Sequence, residues 1–184
     1  DSAIRTHDAE WVVKQGEKFY VSLGFDSLPP SFWTESSLYA LPADAPYKKN
    51  THASARHLDL DRDVRSLMSV EPNTEWYQTV HHELGHIYYF RAYSRPEIPL
   101  LLRAGANRAY HEGIGTMIQI AAGQRRFLVN RGLASADAPV DALQQQLREA
   151  RNRVVVMPFS AGVMTPGEHA LYAKELDPVP VTRR

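Results

Sequence analysis

The chain has 184 residues, of which 43% are hydrophobic and 23% charged, and its 21 basic side chains balance 21 acidic ones. This composition is typical of a folded domain, and the zero net charge gives no electrostatic sign of nucleic-acid binding. The absence of cysteine excludes disulfides, thiol nucleophiles and thiolate metal sites, and no apolar run reaches the roughly 18 residues of a transmembrane segment.

The first predicted elements are helical. Apolar residues at helical spacing predict a helix over 8–23, which Gly24 ends. After a turn at 27–30, a short helical segment is predicted to begin at Phe32. The stretch 41–50 contains two prolines and is predicted to be irregular.

Strand signals occur only in the next part of the chain. The segments 50–58 and 64–70 flank the polar turn 59–63. This pattern predicts one small two-stranded β-ribbon, which needs packing against other elements for its stability.

Four more helices are predicted downstream, over 75–93, 108–123, 139–158 and 168–176. Asn73 and Asn107 are predicted to cap the first two of them. The last is predicted from TPGE at 165–168, which has the form of a capping box with proline at the first helical position. The predicted fold class is therefore mainly α.

The most informative motif is HELGH at residues 82–86, within the predicted helix 75–93. Because His82 and His86 are four residues apart, both imidazoles project from one helix face, where they can bind one Zn²⁺. Glu83 leans toward the same cleft and can take a proton from water. The motif predicts a catalytic zinc, although histidines on such a helix can also be ordinary hydrogen-bonded side chains.

A catalytic zinc needs a third protein ligand. One class of zinc peptidase uses a histidine six residues after the second one, where this chain has Ala92. The other common arrangement takes a glutamate from the following helix. Glu112 is the candidate, 26 residues after His86 at the start of the predicted helix 108–123. Glu97 is a competing candidate, but it lies between prolines in a loop that holds it less firmly.

Four segments occur in one order: THASA at 51–55, HHELGHI at 81–87, RAGAN at 103–107 and HEGIG at 111–115. Together they resemble the angiotensin-converting enzyme family of zinc peptidyl-dipeptidases, which are gluzincins, and in particular its bacterial-type members. The resemblance runs from about Trp11 to beyond Ser160. It implies a helical zincin-type fragment, with residues 1–184 as a single segment from the middle of a larger catalytic domain.

The resemblance also implies roles for individual residues. His82, His86 and Glu112 would be the ligands of one zinc ion. Glu83 would be the general base and later the acid that protonates the leaving amine.

Substrate-binding residues are implied by the resemblance alone. His52 and Ala53 match a family strand that aligns the substrate as an extended peptide, with His52 donating to a substrate carbonyl. Apart from the resemblance, His52 would be interpreted as a surface histidine.

The chain has five other histidines. His81 points away from the metal face and is predicted to be structural. His111 matches a histidine beside the family's third ligand, and its role is left open between packing, hydrogen bonding and catalysis. His7, His57 and His169 are predicted to lie at the surface.

Two features depart from the family pattern. An acidic residue that supports a zinc histidine is usual four positions after the third ligand, where this chain has Thr116. The family's oxyanion and carboxylate-binding groups are expected beyond Arg184, and a substrate-binding glutamine upstream of Asp1. Losing one oxyanion donor costs about 100- to 1,000-fold in rate.

The leading hypothesis is therefore a zinc metallopeptidase of the peptidyl-dipeptidase A type, which releases C-terminal dipeptides from oligopeptides. The alternatives are a truncated zinc-binding module without catalysis and a zinc endopeptidase with the same motif. A truncated module is expected to associate through exposed helix faces. The resemblance further suggests chloride as a second ion and an extracytoplasmic location, either periplasmic or secreted.

Overall fold

Helices account for most of the described structure. The computed structural model describes residues 1–137, 141–151, 154 and 157–173. Contacts divide the chain into two units, Asp1–Ala136 and Asp137–Arg184. The first unit contains α1 (Ala9–Ser22), α2 (Pro30–Glu35), β1 (Ser37–Tyr39), β2 (Ser54–His57), β3 (Val64–Val70), α3 (Thr74–Tyr93), α4 (Arg108–Ala122) and α5 (Arg125–Asn130), with 3-10 turns at Ile4–Thr6 and Leu100–Leu102. The predicted mainly α fold class is confirmed.

The two helices that carry the HELGH and HEGIG segments begin where their caps predict. The side chain of Asn73 accepts a hydrogen bond from the Trp76 backbone N–H at 2.9 Å. Asn107 accepts one from the Tyr110 N–H at 3.1 Å. Each cap satisfies a backbone donor that has no partner within the helix. The starts of α3 and α4, which position the site, are therefore encoded locally.

The sheet has one strand more than the predicted ribbon. Its order is β1-β3-β2, with β2 antiparallel and β1 parallel to the central strand. The pattern missed β1 because three residues, with only Leu38 buried, are too few to show an alternation. Strand β2 begins at Ser54, four residues later than predicted, and it lies at an edge of the sheet.

Helix α3 lies at the centre of the first unit, where it contacts α1, α4, β2 and β3. Val80, Leu84 and Ile87 are completely buried in the hydrophobic core. From α1, the Tyr20 hydroxyl donates a hydrogen bond to the His81 carbonyl at 2.9 Å. These contacts enclose the helix that carries HELGH, so its side chains have a fixed scaffold.

The described part of the second unit contains α6 (Ala142–Arg151) and α7 (Met157–Tyr172). Helix α6 lies within the predicted span 139–158, whose start lies outside the described residues and whose last two residues belong to α7. The predicted start of the last helix is wrong, because α7 begins at Met157 and continues through Pro166. Proline has the φ of a helix but costs a backbone hydrogen bond in a helix interior, so the local pattern favoured a first turn at Pro166 over the interior position that it occupies. Among the described residues, no helix is long and apolar enough to cross a membrane.

Candidate metal centre

Helix α3 presents both histidines of the HELGH motif on one face. The rings of His82 and His86 are 4.9 Å apart between centroids, at an interplanar angle of 81°. Their side chains are 18% and 7% exposed, so both lie in the wall of a cleft. This is the arrangement that the spacing of four residues predicts on a helix.

Helix α4 brings Glu112 to the two histidines. Its Oε2 atom lies 3.3 Å from His82 Nε2 and 3.7 Å from His86 Nε2. One ligand atom from each of the three residues lies within 4.8 Å of the others. Glu97, the competing candidate, is exposed in the loop after α3 and is not part of this group.

The close approach of α3 and α4 depends on two glycines. A Cβ atom added to Gly85 would lie 2.7 Å from the Gly115 Cα, and one added to Gly115 would lie 2.8 Å from the His82 carbonyl oxygen. Any larger residue would force the helices apart. The glycines at these positions of HELGH and HEGIG therefore set the distance from Glu112 to the histidines.

The donor set fits a zinc ion. Ligand atoms of a tetrahedral zinc lie about 3.3 Å apart when the bonds are about 2.0–2.1 Å long, and two imidazoles with one carboxylate are a common catalytic set. Burial, and then the charge of His82, lower the pKa of His86, so its imidazole is neutral and has a free lone pair at neutral pH. The group therefore has the spacing of a metal ligand set, and His86 has the neutral imidazole that a ligand requires.

Glu83 faces the same cleft with a buried carboxyl group. The residue is 7% exposed, and its Oε2 atom has no hydrogen-bond partner among the described residues. Burial, and then the charge of Glu112, raise the pKa of Glu83 to about 7. A carboxyl group with this pKa can both accept and donate a proton near neutral pH.

The segment that precedes β2 also lines the cleft. His52 and Ala53 line a cavity of about 200 Å³ together with Glu83 and the three clustered residues His82, His86 and Glu112. His52 is exposed and Ala53 is half-buried, and both come just before the edge strand. The structure therefore brings every site residue predicted from the sequence to one cleft.

Arg108 also lines the cleft, although the sequence motifs did not predict it. Its Nη2 atom lies 3.2 Å from Glu112 Oε1, the carboxylate oxygen that is farther from the histidines. The spacing of four residues between an arginine and a glutamate on one helix was the available signal. This ion pair is largely exposed and orients the Glu112 carboxylate more than it stabilises the fold.

Three of the remaining histidines have buried side chains. His81 is completely buried with its Nδ1 atom 2.6 Å from the Tyr77 carbonyl oxygen, which agrees with a structural role, and burial lowers its pKa to about 4. His57 was predicted to lie at the surface, but its side chain is only 3% exposed because it packs beside Phe90. His111 is also buried, with its Nδ1 atom 3.2 Å from the Nδ1 atom of His86.

A sequence profile described as angiotensin-converting enzyme matches residues 3–164. The chain belongs to the angiotensin-converting enzyme family. The match contains the whole cleft, from His52 to Glu112. The resemblance seen in the four sequence segments is therefore confirmed.

Several curated proteins of the angiotensin-converting enzyme family are similar to most of this chain. It is 34% identical over 165 residues to the angiotensin-converting enzyme-related protein of Drosophila melanogaster, which covers 88% of this chain and 25% of that protein. It is 32% identical over 171 residues to the angiotensin-converting enzyme of Oryctolagus cuniculus, with coverages of 86% and 13%. For the enzyme of Rattus norvegicus the identity is 30% over 151 residues, with coverages of 81% and 11%. The chain thus spans a quarter or less of the length of these relatives.

Proposed function

We propose that this chain is the zinc-binding and proton-transfer part of a metallopeptidase that releases C-terminal dipeptides from oligopeptides. The observation that carries the proposal is the buried carboxyl group of Glu83 in one cleft with His82, His86 and Glu112. Membership of the angiotensin-converting enzyme family supports the peptidase class. The release of dipeptides and the extracytoplasmic location rest on that membership alone.

The three clustered residues are proposed to hold one zinc per chain, through His82 Nε2, His86 Nε2 and Glu112 Oε2. The distances of 3.3 and 3.7 Å from the carboxylate oxygen to the two nitrogens support this assignment. When bound, zinc polarises a peptide carbonyl and lowers the pKa of a water molecule. Two neutral imidazoles and one carboxylate leave a net positive charge on such an ion, which suits this chemistry.

Glu83 is proposed to move the proton during hydrolysis. Its carboxylate accepts a proton from the attacking water, while the water oxygen forms a bond to the scissile carbonyl carbon. The same carboxyl group then donates the proton to the leaving amine as the C–N bond breaks. Burial raises the pKa of Glu83, which makes the neutral acid of the second step more accessible than it is for an exposed carboxyl group.

His52 and Ala53 are proposed to align the peptide. They precede the edge strand β2 and line the same cleft as Glu83. An extended peptide can add to such an edge through backbone hydrogen bonds, which hold the scissile bond in place while leaving side chains variable. The exposed His52 imidazole is in a position to donate to a substrate carbonyl.

The proposal is tested by incubating the zinc-loaded chain with an N-terminally blocked tripeptide and with a longer blocked peptide. Release of the C-terminal dipeptide is expected from the unmodified chain and not from Glu83→Gln, which removes the proton carrier and retains the shape. Cleavage at internal bonds would instead identify an endopeptidase. Zinc retention without turnover of either peptide would identify a zinc-binding module.

Two properties suggested by the family have their own tests. Chloride as a second ion predicts faster turnover in sodium chloride than in sodium acetate at equal ionic strength. An extracytoplasmic location predicts that the protein is recovered in the periplasmic or secreted fraction of its cells. Equal rates in the two salts, or recovery in the cytoplasm, would contradict these two proposals and leave the zinc chemistry untouched.

A further inference from the structure

His86 and His111 face each other through the same ring nitrogen. Their Nδ1 atoms are 3.2 Å apart, and their ring centroids are 5.4 Å apart at an angle of 38°. The other ring nitrogen of His86, Nε2, lies 3.7 Å from Glu112 Oε2. His86 therefore directs one nitrogen to the proposed zinc position and the other to a second histidine.

Counting protons gives each imidazole a definite tautomer. A neutral imidazole has one N–H donor and one lone pair, so only one of the two facing Nδ1 atoms can carry hydrogen. A metal ligand uses the lone pair of Nε2, which leaves the proton of His86 on Nδ1. The Nδ1 atom of His111 must then accept, and its own proton must lie on Nε2.

A partner is present for that second proton. His111 Nε2 lies 3.2 Å from the Tyr93 hydroxyl oxygen, which would accept from it in that tautomer. The hydrogen bonds thus run in one direction, from His86 Nδ1–H to His111 Nδ1 and from His111 Nε2–H to Tyr93 Oη. Every ring nitrogen in this chain of hydrogen bonds has a role once His86 binds metal.

The His111 imidazole is held firmly enough to orient His86. It is 6% exposed and lies among the rings of Tyr89, Phe90 and Tyr93, at centroid distances of 4.5, 4.8 and 5.9 Å. The loop before α4 packs directly against it, since a Cβ atom on Gly105 would lie 2.9 Å from His111 Cδ2. A ring fixed on several sides holds its acceptor atom in one place.

We propose that His111 is a positioning residue of the zinc centre, which accepts the Nδ1 proton of His86 and so directs the Nε2 lone pair of His86 at the metal. The inference rests on the proposed function, because it takes zinc as the ligand of His86. It assigns His111 the role of a hydrogen-bond partner of a ligand rather than of a residue that contacts the substrate. Outer hydrogen-bond partners of this kind typically change metal affinity by about 10- to 100-fold.

Substitutions at position 111 separate hydrogen bonding from packing. The Oδ1 atom of His111→Asn can take the place of Nδ1 and accept from His86, whereas the amide of His111→Gln reaches the place of Nε2. His111→Phe fills the space without an acceptor. Zinc affinity, measured by competition with a chromogenic chelator, is expected to fall about 10- to 100-fold in the Gln and Phe variants and to remain near the unmodified value in the Asn variant.

Two tyrosines provide a matched control. Tyr93→Phe removes the acceptor at the end of the hydrogen-bond chain and is expected to weaken zinc binding less than His111→Phe. Tyr89→Phe removes a hydroxyl from the same aromatic shell, where it accepts from the Ala106 N–H at 3.2 Å, and is expected to leave zinc affinity unchanged. Equal zinc affinity in the Asn, Gln and Phe variants would overturn the proposal.

A spectroscopic readout tests the tautomers without any substitution. Long-range ¹⁵N–¹H correlation spectra of the zinc-loaded chain are expected to show His86 protonated at Nδ1 and His111 protonated at Nε2. A proton on His111 Nδ1 would overturn the inference while leaving zinc binding intact. If the unmodified chain binds no zinc, the proposed function fails and this inference fails with it.

Discussion

Helices α3 and α4 both contribute side chains to the cleft, but the two helices are packed differently in the first unit. Helix α3 is enclosed by α1, α4, β2 and β3, and its residues Val80, Leu84 and Ile87 have no exposed surface. Among the described residues, α4 packs mainly on α3, and its outer face carries Tyr110 and Met117, each 59% exposed.

This difference separates the three clustered side chains. His82 and His86 lie on the enclosed helix and are 18% and 7% exposed, whereas Glu112 on α4 is 46% exposed. The first two positions are therefore set by the core of the first unit. The third depends on the contact between the two helices.

Leu84→Ala disturbs the packing of the enclosed helix α3 and should have the largest effect on stability. The side chain is completely buried, so its truncation removes apolar contacts and leaves a cavity. The free energy of unfolding, measured by urea denaturation, is expected to fall by about 2–5 kcal/mol. A loss of less than 1 kcal/mol would show that α3 is not packed as described.

Glu112→Gln changes the proposed third zinc ligand itself. The substitution retains the shape of the side chain and removes the negative charge that zinc favours. Zinc affinity is expected to fall by more than the roughly 100-fold typical of outer partners, because a direct ligand is lost. Glu97→Gln, at an exposed glutamate outside the cluster, is the matched control and should leave the affinity unchanged. Equal losses in both variants would exclude Glu112 as the specific ligand.

Gly85→Ala disturbs the close contact between α3 and α4. The new Cβ atom would lie 2.7 Å from the Gly115 Cα, so α4 must move away from α3. We expect a loss of about 1–3 kcal/mol in stability together with weaker zinc binding, since Glu112 moves with α4. Gly113→Ala is the control on α4, because nothing lies within 4 Å of its Cβ position. It should stabilise the helix by up to about 1 kcal/mol. A neutral Gly85→Ala would contradict the close approach.

Met117→Ala tests the outer face of α4 and should have the smallest effect. Substitution of an exposed side chain with few contacts is expected to change stability by no more than about 0.5 kcal/mol. A larger loss in urea denaturation, accompanied by a concentration dependence of the midpoint, would show that another copy or partner covers this face.

The sequence predicted the elements that carry the cleft because their signals are local. Asn73 and Asn107 cap their helices, and the spacing of His82 and His86 defines one face of α3. The candidacy of Glu112 required only a second helix that returns alongside the first. The caps and the histidine pair use residues within a few positions of one another, whereas Glu112 lies 26 residues after His86.

The burial of the His57 side chain, strand β1 and the contact of His86 with His111 depend on distant parts of the chain. His57 is buried because Phe90 of another element lies beside it, and β1 exists because β3 offers a pairing edge. The contact of His86 with His111 joins two helices through specific ring orientations. No local pattern contains this information, since it arises from tertiary packing.

His82, His86 and Glu112 are proposed to hold one zinc ion in this chain. Metal analysis by mass spectrometry after exhaustive dialysis tests it most directly, on the unmodified chain, Glu83→Gln and His82→Ala. We predict one zinc per chain in the first two proteins, because Glu83 is not a ligand, and none in the third. A zinc-free unmodified chain, or full occupancy in His82→Ala, would contradict the account.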